Sequence, residues 1–230
     1  MEKKDNIQLI VDTIKEKSCM KQDVYQNIQT AFEYFQQKGE EVIREIQQKV
    51  ASADSRIILD YNKKSQFDFE LTFAGDILVF HMHTNIFKFD TSHAIYQTSY
   101  VQEDENRAYC GMINVYNFLA DSIRYNRDND LGYLVARIFV NKDNHFFVEG
   151  KRQMGVLYNN FSTETISPEK VKNIIESAIL FSLSFDLYTP PYYTMQEVSV
   201  SQIKETSSLL KLSTGKRLGF KFGYEEDEIF

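Results

Sequence analysis

An α+β fold, with helices covering one face of a mostly antiparallel, strongly twisted sheet, is predicted by three features of this sequence. Phe67, Phe69, Leu71 and Phe73 alternate with Asp68, Glu70, Thr72 and Ala74, a period of two that marks a half-buried strand. The same period runs from Arg56 to Tyr158 between short polar turns rich in Asn and Asp, as expected of a meander of neighbouring antiparallel strands. Before and after it, residues 5–52 and 168–187 carry apolar residues at helical spacing.

The elements follow in order. Asp5 and Gln8 form a capping-box pattern ahead of Ile7, Ile10, Val11 and Ile14, so a short amphipathic helix is expected over 5–17. A second helical region spans about 20–51, striped by Val24, Ile28, Ala31, Phe35, Val42, Ile46 and Val50. Gly39 falls inside that stripe and predicts a kink or a junction of two helices. Strands are expected near 56–62, 66–74, 76–89, 94–101, 108–119, 131–140, 145–150 and 153–158, with Gly75-Asp76 as the tight turn between the second and third. No proline precedes Pro168, which suits a chain paired or coiled almost throughout. Ser167-Pro168-Glu169 is a helix start, with a capping Ser, Pro in the first turn and an acid beside it. Pro190-Pro191 ends that helix. Beyond it, 193–200 reads as a strand, 202–212 as a short helix and 217–222 as a last strand. No repeat or compositional break divides the chain, and one domain over 1–230 is expected.

Composition narrows the function. The 230 residues are 43% hydrophobic and 26% charged, with a formal net charge of -7. That balance describes a globular protein and disfavours nucleic acid as a partner, because phosphate contacts need clustered Lys and Arg. The start of the chain lacks the continuous apolar core of a secretory signal, and no later stretch reaches the length of a membrane span. Cys19 and Cys110 stand alone, outside any metal-binding spacing. A cytoplasmic protein with reduced thiols is expected.

Four patterns hold candidate chemistry. His81 and His83 lie two apart in a strand and share a face, with His93 available as a third ligand, so the three form a candidate metal set. Glu149 and Lys151 share a strand face with Asp143 upstream. This ExK pattern resembles the restriction-type PD-(D/E)xK nucleases, and the resemblance implies carboxylates holding Mg2+ with a lysine steadying the attacking water. The chain departs from that family in setting Asp143 in a turn and in having no helix directly after the ExK. The acidic C-terminus ending in Ile229-Phe230 resembles the tail of bacterial single-stranded DNA-binding proteins, which implies a partner-binding tail. Ile229 replaces the penultimate proline of that family. Tyr188-Thr189-Pro190-Pro191-Tyr192-Tyr193 is a stiff aromatic loop. Gly215-Lys216 is not a P-loop, because Leu210 and Arg217 occupy positions that require Gly and Ser or Thr.

With no complete catalytic motif, the expected function is a non-catalytic cytoplasmic binding or adaptor protein that recognises a protein partner through a sheet face or edge. The expected partner is another protein, a second copy included, and no cofactor is expected. The alternative is a metal-dependent hydrolase or nuclease that uses His81 and His83 or Glu149 and Lys151.

Overall fold

The computed structural model describes residues 5–50, 54–150, 160–186, 189 and 191–201. Asp5 caps the first helix by accepting a hydrogen bond from the Ile7 amide. Helix α1 (Asn6–Thr13), a π-helical turn (Ile14–Ser18) and helix α2 (Cys19–Val50) then follow without a break as one 45-residue helix. The expected division between two helices is therefore replaced by the π turn. Gly39 does not interrupt α2 either. A Cβ there would fall 3.0 Å from Phe69 Cε2 and 3.2 Å from Leu71 Cδ2, so its role is to let the helix lie close on the sheet.

Six antiparallel pairings build the sheet. Strands β1 (Leu59–Lys63), β2 (Asp68–Phe73), β3 (Asp76–Met82), β5 (Tyr109–Leu119), β6 (Tyr133–Asn141) and β7 (Phe146–Gly150) lie side by side in chain order. The short β4 (Phe87–Lys88) pairs with β5 on the side where β3 ends. The single strand expected over 76–89 is thus two segments, parted at residues 83–86. The β2–β3 loop is Ala74-Gly75, one residue earlier than expected, and Ala74 takes the left-handed conformation at φ 57°. Register shifts once, at Val115/Tyr116, where β6 carries an extra residue.

Helix α2 and helix α5 (Pro168–Leu183) cover one face. Ser167 caps α5 with Pro168 inside its first turn, as expected, and Lys172 of α5 bonds Glu45 of α2 at 3.1 Å. The seam between helix and sheet is aromatic. Phe69 stacks on Phe80 at 4.6 Å, with Phe32 and Phe35 against them. Ile28 meets the sheet at Gly111, where a Cβ would fall 2.5 Å from Ile28 Cβ.

Among the described residues the other face is only partly covered, and by a segment expected to be a strand. Residues 94–101 instead form a 3-10 turn (Ala94–Gln97) leading into helix α3 (Ser99–Glu103), followed by a second 3-10 turn (Glu105–Ala108). Side chains decide the matter, because His93, Thr98 and Asp104 each accept a bond from an amide two or three residues on and so cap a helical start. This excursion closes a second core of Ile95, Val101, Ala108, Cys110, Phe139, Phe147 and Phe161. It is stapled by Tyr100, which donates to Asp143 (2.8 Å), and by Arg107, which bonds Asp143 and Glu103 at 3.1 Å each. Lys142 bonds Asp104. Helix α4 (Ala120–Arg124) follows β5. Residues 192–195 form a 3-10 turn in place of the expected strand. The expectations for 153–158, 202–212 and 217–222 lie outside the described residues.

The contact at Gly111 is backbone against the root of a side chain, so neither partner can swing aside. Gly111→Ala is expected to lower stability by about 2–3 kcal/mol, read as a fall of roughly 6–10 °C in thermal midpoint. An unchanged midpoint would show that α2 does not bear on β5 this closely.

Candidate functional site

On the face opposite α2, register brings polar residues of five strands into one row. Asp68 pairs with His81, His81 with Asn114, Asn114 with Arg137, and Arg137 with Glu149. All five point away from the helices, because their strand neighbours Phe69, Phe80, Ile113, Val115, Ile138 and Val148 fill the helix-side core. A hydrogen bond closes one end of the row and an ion pair the other. His81 Nδ1 meets Asp68 Oδ1, and Arg137 Nη2 meets Glu149 Oε2. Between them Asn114 is buried, at 7% exposure. Beside this row runs a second, in which Glu70, Val79, Tyr116 and Leu134 are register partners in turn. Leu134 is 38% exposed, and Val79 and Tyr116 are half-buried. On the far side, Met112, Phe139 and Phe147 pass beneath the second core. Among the described residues, the part of the face left outside the second core is therefore an apolar strip bordered by paired polar side chains.

The candidate metal residues have separate partners. His81 and His83 do share a face, with ring centroids 6.4 Å apart. His81 is engaged by Asp68, whereas His83 Nδ1 accepts from the Asn85 amide (3.0 Å) and its ring stands edge-on to Phe87 at 4.7 Å. His93 caps the turn at Ala94, packs on Phe89 at 4.5 Å and places Nε2 3.6 Å from Glu149 Oε1. Among the described residues no group of three or more His, Cys, Asp or Glu is arranged to hold a metal ion.

In the nuclease-like set, Glu149 lies on the bare face beside Arg137, while Asp143 is held in the β6–β7 turn by Tyr100 and Arg107. Lys151, Ile229 and Phe230 lie outside the described residues. His145 is stacked flat on Tyr100 at 4.6 Å, part of the staple. Burial pushes the Cys110 thiol far up, so it stays protonated, and burial likewise raises the Tyr100 phenol and keeps it a neutral donor.

Asp68, Asn114 and Arg137 were not singled out from the sequence as site residues. A lone charge inside the apolar run Leu134 to Val140 was the available signal for Arg137, since such a residue must face away from the core.

No protein-family model, no curated protein and no solved structure matches this chain. None of its helices, among the described residues, is long and apolar enough to cross a membrane.

Two outcomes follow from these contacts. Replacing His81 and His83 together by Ala is expected to leave the metal content of the purified protein unchanged by elemental analysis. Stoichiometric zinc or iron in the wild type, lost in the double variant, would restore the metal reading. The Lys142 hydrogen bond lowers the Asp104 carboxyl below its ordinary 3.8. Its support for the excursion is thus full above pH 3.8 and fades as pH falls through the lowered value. The 94–108 segment is expected to become cleavable by an acid-active protease at a higher pH in Asp104→Asn than in the wild type. Identical cleavage profiles would contradict that anchor.

Proposed function

We propose that this chain is a non-catalytic, cytoplasmic binding protein that engages another protein through the bare half of its sheet. The observation that carries the reading is the pair of adjacent rows, Asp68–His81–Asn114–Arg137–Glu149 and Glu70–Val79–Tyr116–Leu134, which among the described residues neither hydrophobic core covers. A strip of aliphatic and aromatic side chains ringed by hydrogen-bonding groups has the composition of a protein interface. Its complement is a segment that offers an apolar side chain to Val79, Tyr116 and Leu134 and a polar group to Arg137 and Glu149.

The face is favoured over the edges because the edges are blunted. Strand β1 turns the Leu59 carbonyl outward, where Gln47 caps it at 2.6 Å, and Lys63 is tied to Gln36 at 3.0 Å. Beside β7, Glu164 and Asn144 take up the amides of Phe146 and Ile166. Capped and charged edges discourage strand addition. The free thiols of Cys19 and Cys110 support a reducing compartment.

The test is capture and then titration. A protein retained from the source cells by the immobilised wild type is purified and its affinity measured. Tyr116→Glu and Leu134→Glu are expected to weaken it by about 30-fold or more, the scale of a central interface residue. Glu33→Lys, on the exposed face of α2, is expected to leave it within about twofold, as a surface change remote from the contact. Equal affinity of wild type and both face variants would refute the reading.

A further inference from the structure

Strand pairing opens a gap beside the long helix. Met82 of β3 pairs with Ile113 and Phe87 of β4 pairs with Cys110, so the four residues 83–86 stand opposite two, Met112 and Gly111. The surplus bows out of the sheet, as it does at a bulge. Two bonds hold the bow: the His83 amide donates to the Met112 carbonyl at 2.9 Å, and the Asn85 amide donates to His83 Nδ1 at 3.0 Å. Helix α2 borders the gap, anchored where Ile28 meets Gly111. Tyr25 and Lys21 lie about one and two turns before Ile28 along the same side of the helix.

Between bow and helix is a cavity of about 450 Å³, lined by Lys21, Gln22, Tyr25, Thr84, Asn85 and Ile86. That volume falls within the range that takes a small organic molecule. The lining indicates which kind. It contains no acid, and the carboxamides of Gln22 and Asn85 and the hydroxyl of Thr84 each bring both donors and acceptors. Such groups match the adjacent hydroxyls of a sugar or polyol, while Tyr25 and Ile86 supply apolar surface for its carbon frame.

Charge selects the remaining group. Lys21 Nζ lies 5.8 Å from the centre of the Tyr109 ring, and Lys88 Nζ lies 5.5 Å from the same centre. Among the described residues the acid that pairs with these two ammoniums is Glu105, 3.6 Å from Lys88. One positive charge is therefore left over at Lys21, in a chain whose formal net charge is -7. A single oxyanion would neutralise it through a charge-assisted bond. A nucleic-acid strand would need a longer row of cations, so the ligand is small and carries one anionic group.

We propose that this cavity binds a small polyhydroxylated oxyanion, a sugar phosphate or a sugar acid, with Lys21 on the anionic group and Gln22, Thr84 and Asn85 on the hydroxyls. The cavity shares no residue with the partner face proposed above, so either reading can fail without the other.

The experiment is calorimetric titration of the full chain with glucose 6-phosphate, gluconate, glucose and inorganic phosphate, each up to about 10 mM to reach a weak site. At least one of the two organic oxyanions is expected to bind at a single site, about tenfold or more tighter than glucose and than inorganic phosphate. The tighter of the two assigns the anionic group as phosphate or carboxylate. Lys21→Gln is expected to weaken that binding by about 10- to 100-fold, the loss of one bond to a charged group, with its melting unchanged. Lys49→Gln, which removes the same charge at the far end of α2, and Leu134→Glu on the sheet face are expected to bind like the wild type. Absence of binding by both organic oxyanions would overturn the proposal, and so would binding indifferent to Lys21→Gln. Inorganic phosphate held as tightly as either would mean an adventitious ion only, and glucose held as tightly as its phosphate would remove the anionic group from the site.

Discussion

The close approach of α2 to the sheet is the constraint on which the rest depends. Two glycines make it: Gly39 on the helix lies over Phe69 and Leu71, and Gly111 on β5 lies under Ile28. With the backbones so near, Phe32, Phe35, Phe69 and Phe80 interleave into one seam, and burial of such rings supplies the largest favourable contribution per residue. One long helix, with α5 beside it, is thereby enough to close that face.

Among the described residues the opposite face has no such helix and is managed differently. At one end, residues 89–108 fold into three short helical turns over Phe139 and Phe147. Turns of four or five residues have little stability of their own, so the excursion relies on Tyr100, Arg107, Asp143, Lys142 and Asp104 to pin it. At the other end no described residue packs into a core over the sheet, and cross-strand pairing keeps it orderly. Asp68 bonds His81, and Arg137 and Glu149 neutralise one another locally. Exposed pairs of this kind add little stability, but they hold the side chains in fixed positions beside the Val79–Tyr116–Leu134 strip.

Much of this architecture was legible in the residues themselves. The alternation of Phe67 to Phe73, the capping Ser167 before Pro168 and the helical stripe from Val24 to Val50 each state a local period, and local periods survive folding when a core rewards them. Gly39 was misleading because a glycine in a helix signals a break as readily as a close approach, and only the sheet lying against it distinguishes the two. Residues 94–101 were misread because Ile95 and Val101 suit a strand, while the capping side chains of His93, Thr98 and Asp104 outweighed that preference. The row of five could not be read at all. It depends on the register of four strand pairings across loops of different lengths, and a slip of one residue would have sent His81 into the core.

Side-chain footprinting with hydroxyl radicals, on the chain alone and on the chain with its purified protein partner, tests the central claim most directly. The account predicts that oxidation of His81, Tyr116 and Leu134 falls together on binding while Tyr25 and Tyr34 on α2 keep their rates. Protection confined to α2 or to strand β1, with His81, Tyr116 and Leu134 oxidised as in the free chain, would contradict it.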